Sequence, residues 1–137
     1  MRRRPGITVA GALATAVLMI SASPAPASEP IEDVLTELSH CKAWADEPGG
    51  SPTIVGWGGA YCRAVHTTLV GQVCLVYNGV TIASSCNTLQ STTGSDSSPT
   101  KGMRCLPGLW QTQVTVAHLQ NAETEVVSDP VLFTCLP

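Results

Sequence analysis

The sequence predicts a mainly β domain, an antiparallel sandwich with a short N-terminal α-helix, held by three disulfides. Three observations carry that reading. An even set of six cysteines, Cys41, Cys62, Cys74, Cys86, Cys105 and Cys135, follows an export-type leader in a chain of 137 residues, the pattern of a small disulfide-stapled exported domain. From Thr53 onward, short runs rich in Val, Thr, Ile and aromatic residues are separated by turn signals, as in all-β folds. In Trp110–Val116 the alternation is strict: Trp110, Thr112, Val114 and Val116 share one face, and Gln111, Gln113 and Thr115 the other, as a half-buried strand requires. Only 12% of residues are charged and 44% are apolar. The chain can therefore bury a core and is neither a disordered acidic tail nor a basic nucleic-acid arm.

Residues 1–27 read as a signal peptide. Arg2, Arg3 and Arg4 precede an uncharged run from Ile7 to Ile20, and the small-residue site Ala25-Pro26-Ala27 follows. The run is 14 residues long, short of the roughly 18–20 that cross a bilayer. Export rather than a membrane span is expected, with residues 28–137 forming one secreted, extracellular domain. No cysteine near the cleavage site offers a lipid attachment point. Without the leader, four basic residues face ten acidic ones, a net charge of −6, which makes nucleic acid and anionic lipid poor partners.

Next along the chain, Ile31, Val34, Leu35, Leu38 and Cys41 fall at helical spacing. Pro30 suits the first helical position, Glu32 and Asp33 the first turn and Lys42 the last. Residues 28–45 are therefore predicted as a helix packed on its own domain, since an acidic polar face is the wrong sign for a membrane-surface helix. Glu47–Pro52 is a breaker cluster. Strands are predicted at Thr53–Val55, Ala60–Val65, Thr67–Tyr77, Val80–Ser85, Trp110–Leu119 and Thr124–Phe133. Asn78-Gly79 marks a two-residue hairpin pairing Tyr77 with Val80. That register sets Cys74 opposite Ala83, so joining Cys74 to Cys86 needs a bulge or a longer loop, for which Gly71 is a candidate irregularity. Asn87–Gly102, polar and nearly free of large side chains, is predicted as a long Ser/Thr-rich loop. A turn at Gln120–Ala122 returns the last hairpin toward Cys105, and Pro130 marks an edge position or bulge within it.

Six cysteines allow fifteen pairings. Sequence order and hairpin geometry favour Cys41–Cys62, Cys74–Cys86 and Cys105–Cys135, each worth roughly 3 kcal/mol in the chain-entropy model. No Cys-x-x-Cys and no Cys/His cluster of zinc spacing occurs, so neither a metal nor another cofactor is implied.

Motifs that could carry chemistry are weak. Ser98-Pro99-Thr100-Lys101 has Ser-x-x-Lys spacing, but a proline lies inside it and the accompanying Ser-Asp-Asn and Lys-Thr-Gly elements are missing. His40, His66 and His118 are scattered, and Glu123, Glu125 and Asp129 lie near a hairpin end without an Asp-rich loop motif. The sequence thus predicts a non-catalytic protein that binds an unknown protein or carbohydrate ligand. Trp57 is the candidate contact, because the glycines in Gly56-Trp57-Gly58-Gly59 leave its indole room to serve as a stacking platform. Core burial competes with that expectation in a chain of six aromatics. In that case Trp57 and Trp44 would pack on the face of Ile31, Val34, Leu35 and Leu38.

Val73-Cys74-Leu75, Asn78-Gly79 before Cys86, and Cys105-Leu106-Pro107-Gly108-Leu109-Trp110-Gln111-Thr112 resemble elements of small exported actinobacterial proteins. In these, a cysteine-flanked hairpin, a Ser/Thr-rich loop and a Cys-x-Pro-Gly-x-aromatic-x-Thr element precede the final hairpin. The resemblance covers roughly residues 60–135. It implies an immunoglobulin-like sandwich of no established activity, with Pro107–Trp110 forming a corner whose aromatic clasps the sandwich edge. Subtilisin-inhibitor-like proteins are comparable in length but characteristically have two disulfides. In a protease inhibitor, Met103-Arg104 beside Cys105 would be the scissile site, braced by a disulfide. That alternative ranks second, since rigid extended loops rarely follow a Ser/Thr run of this kind.

Overall fold

A computed structural model describes residues 29–36, 38–64, 67–118 and 122–135; the leader, His66 and the turn at 119–121 lie outside them. Ten strands follow in chain order: β1 (Ile31–Leu35), β2 (Leu38–Gly49), β3 (Thr53–Cys62), β4 (Leu69–Tyr77), β5 (Val80–Ser91), β6 (Ser95–Pro99), β7 (Met103–Arg104), β8 (Gly108–Ala117), β9 (Thr124–Val127) and β10 (Val131–Phe133). They form two antiparallel sheets. The first has the order β1-β2-β3-β6, with β7 also on β3, and the second β9-β8-β4-β5, with β10 also on β8. The chain therefore changes sheet after β3, after β5 and after β7.

The core forms where the two inner faces meet. Cys41, Ala43, Ala45 and Ala60 from the first sheet meet Leu69, Val73, Leu89, Val114, Val116 and Val126 from the second. A second cluster at one end gathers Ile54, Leu75 and Trp110, with Tyr77, Ile82, Met103, Cys105 and Phe133 packed against it. Side chains on a strand alternate between faces, so the small inner residues of β2 fix what points outward: Lys42, Trp44 and Asp46. The expected alternation of β8 is present, Trp110, Thr112, Val114 and Val116 all being buried.

All three disulfides pair in sequence order, Cys41–Cys62, Cys74–Cys86 and Cys105–Cys135. Such crosslinks are typical of proteins that fold in an oxidising compartment. Among the described residues, no helix is long and apolar enough to cross a membrane.

The Asn78-Gly79 hairpin forms as expected, with φ of 48° and 83° at its two turn residues and Tyr77 paired with Val80, the positive angles that a tight hairpin needs. The irregularity that brings Cys74 to Cys86 lies elsewhere than Gly71. Gly71 pairs regularly with Leu89, and the register instead shifts between Val73 and Leu75, where β5 carries the extra residues. Buried Ser85 stitches this bulge, its hydroxyl donating to the Ile82 carbonyl (2.6 Å) and accepting from the Leu75 amide (2.7 Å). Pro130 falls where β9 gives way to β10, beside Ser128, whose hydroxyl accepts from the Thr112 amide (2.9 Å).

Two expectations are corrected. Residues 31–49 form no helix but two strands, β1 and β2. The apparent helical spacing arises because Leu35 and Leu38, which face each other across a tight turn, mimic an i, i+3 pair. The true signal is the alternation after Ser39, with Cys41, Ala43 and Ala45 buried between more exposed neighbours. Residues 87–102 are likewise not one long loop. Asn87–Ser91 completes β5, and Ser95–Pro99 is β6, paired with β3 from Trp57↔Pro99 to Tyr61↔Ser95. Serine and aspartate suffice there because β6 lies at a sheet edge and side-chain bonds to β5 secure it: Asn87 Nδ2 donates to the Pro99 carbonyl (2.8 Å) and the Gln90 amide to Asp96 Oδ2 (2.9 Å). At the opposite side of the sandwich, the Thr36 amide donates to Thr124 Oγ1 (2.6 Å).

Candidate functional site

The outer face of the first sheet is a grid that can be read from its registers. Asp46, Trp57 and Pro99 form one row across β2, β3 and β6; Trp44, Gly59 and Ser97 the next; Lys42, Tyr61 and Ser95 the third. On β1, Glu32 extends the middle row and Val34 the last. Trp57 and Tyr61 lie four residues apart on β3, roughly 13 Å at the usual strand rise, with Trp44 beside Gly59 between them. Trp57 is 49% exposed and Tyr61 39%, and Trp44 is half-buried. Trp57 is therefore a surface residue, and it does not pack with Trp44 on a helical apolar face.

Gly59 makes the arrangement possible. A Cβ on it would lie 2.5 Å from the Asp96 carbonyl oxygen and 2.9 Å from Ser97 Cα, so only glycine lets β6 approach β3 this closely. Next to Gly59 opens a shallow cavity of about 350 Å³ lined by Trp44, Ala60, Tyr61, Ser95, Asp96 and Ser97. The Tyr61 hydroxyl donates to Glu32 Oε2 (3.3 Å), and Glu32 Oε1 lies 4.0 Å from Lys42 Nζ. This ties Tyr61 across β2 toward β1. Asp96, opposite inward-facing Ala60, turns its carboxylate away from this face toward β5, and backbone donors hold both oxygens, from Ser97 (2.9 Å) and Gln90 (2.9 Å).

No family model, curated protein or solved structure matches this chain.

The other sequence candidates lie apart from this face. Met103 and Arg104 form β7 at the far end of β3, paired with Ile54 and Thr53, and Met103 packs against the second core cluster. Ser98 donates its hydroxyl to the Pro99 carbonyl (2.8 Å). His40 lies beside Cys41 and Cys62 with their ligand atoms within 4.8 Å of one another, but both sulfurs are joined in a disulfide and neither is the thiolate that a metal binds. The segment around Trp110 is well knit: Trp110 Nε1 donates to the Leu106 carbonyl (2.9 Å), the Tyr77 hydroxyl donates to the Pro107 carbonyl (2.6 Å), and the two rings lie 4.8 Å apart. Sequence reasoning found Trp57 through its glycines but missed Trp44 and Tyr61 as its companions. The signal that would have found them is the Cys41–Cys62 pair, which sets the β2–β3 register.

Proposed function

We propose that this chain is a secreted, non-catalytic binding module whose ligand lies on the outer face of the β1-β2-β3-β6 sheet. One observation carries the reading: of six aromatic residues, Trp44, Trp57 and Tyr61 share one outer face, while Tyr77, Trp110 and Phe133 belong to the core. A domain this small needs its large side chains for burial, and aromatic residues grouped on a rigid surface are characteristic of contact sites. Secretion is supported by the leader-like N-terminus and the three disulfides. The immunoglobulin-like relationship draws support from the paired antiparallel sheets and from the Trp110 corner. The protease-inhibitor alternative has less behind it, because Met103-Arg104 is paired as a strand and half tucked into the core, whereas an inhibitor presents a free extended backbone.

Retention of the purified exported protein on washed cells of the culture that secretes it tests the reading. Trp57→Ala is expected to lower retention at least tenfold, and Leu132→Ala, an exposed apolar residue of β10 on the other sheet, to leave it unchanged. Absence of retention, or equal retention of Trp57→Ala, overturns the assignment of this face.

A further inference from the structure

We infer that the ligand of this face is a neutral glycan, with one sugar ring seated in the cavity between Trp44, Tyr61 and β6 and the chain running over Gly59 toward Trp57. This inference rests on the binding-face reading above and names its ligand class. A pyranose has two chemically different aspects, a C–H face and a rim of hydroxyls, and the site matches both. Trp44 and Tyr61 wall the cavity with ring surface, and Ser95 and Ser97 line its other side with hydroxyls. Sugar hydroxyls both donate and accept, and so do serine hydroxyls, so the two can pair. The cavity volume, about 350 Å³, is at the small end of the range for ligand sites, suited to one ring rather than to a drug-sized apolar molecule. Trp57, beyond Gly59 on β3, then offers a second stacking position roughly two strand residues further along.

Charge separates this occupant from others. Glu32 and Asp46 stand on the face with Lys42, Lys42 is directed at Glu32, and exposed Arg63 follows at the end of β3. The face thus carries no net charge that would draw a nucleic acid or an anionic polysaccharide. A peptide occupant would want aliphatic pockets, and the cavity has aromatic rings and serine hydroxyls instead; a peptide pairing with the edge strand β6 is the outcome that the protease arm below distinguishes.

The test compares retention of the exported protein on cells treated with periodate, which cleaves the vicinal diols of sugars, and on cells treated with protease. Direct binding to microcrystalline cellulose, chitin and xylan is measured in parallel. Retention is expected to be lost after periodate, to survive protease, and to change less than twofold between low and high salt. At least one of the three polysaccharides is expected to bind the protein and to release Trp57→Ala. Ser97→Phe, at an exposed β6 position, fills the cavity and is expected to weaken binding at least tenfold with an unchanged far-ultraviolet circular dichroism spectrum and melting temperature. Retention that depends on Trp57 but survives periodate and is lost to protease overturns the glycan while leaving the binding face standing. Retention indifferent to Trp57 overturns both.

Discussion

Two buried hydroxyls, one bonded and one not, make opposite predictions. The Ser85 hydroxyl closes the β5 bulge with a donated and an accepted bond, and both it and the Leu75 amide are buried. Ser85→Ala strands the Leu75 amide, so a loss of about 1–3 kcal/mol is expected, read as a lowered midpoint in urea with an unchanged slope. Thr112 is fully buried on β8, and its Oγ1 has no hydrogen-bond partner. Thr112→Val keeps the shape and removes the unmet desolvation cost, so it is expected to stabilise by about 1 kcal/mol, or roughly 4–8 °C in thermal melting. A fall in the melting temperature would show that the hydroxyl is satisfied in solution. Neither residue stands out in the sequence, because what distinguishes them is a register shift for one and a close neighbouring strand for the other.

Among the elements, β6 is the one composition hides. Its five residues, Ser95 to Pro99, read as loop, yet they ladder onto β3, and their exchange behaviour separates the two descriptions. The ladder amides of Ser95–Ser98 are expected to exchange with solvent at rates comparable with those of Trp57–Tyr61; rates near those of free peptide would return the segment to a loop. Gly59→Ala sets a methyl group against the Asp96 carbonyl, so it is expected to speed exchange throughout β6 and to leave the β4–β8 ladder protected. The second sheet was legible because its inner positions are Val, Leu and Trp, large enough for alternation to show. The first sheet was not: its inner positions are Cys41, Ala43, Ala45 and Ala60, too small to stand out as an apolar stripe, while Trp44, Trp57 and Tyr61 point the other way. The site was legible to the same degree. Glycines flag Trp57 locally, whereas Trp44 joins it only through long-range pairing, which no local pattern encodes.

For the molecule as a whole, the crosslinks dominate stability. Loops of 21, 12 and 30 residues are closed by the three disulfides, each worth roughly 3 kcal/mol, against a net stability of about 5–15 kcal/mol for typical domains. Reduction with dithiothreitol is therefore expected to lower the melting temperature by more than about 20 °C, and survival of the native fold after full reduction would assign the stability to the core instead. The order of those crosslinks also bears on how the protein is made. Each bond joins a cysteine to the next one in the chain, so no closed loop contains or interlocks with another. A chain exported from its N-terminus, as proposed above, would deliver Cys41 and Cys62 before Cys74 appears, and the same holds for each later pair. An oxidant acting on thiols in their order of arrival would then produce the native set directly, without reshuffling by a catalyst of disulfide isomerisation.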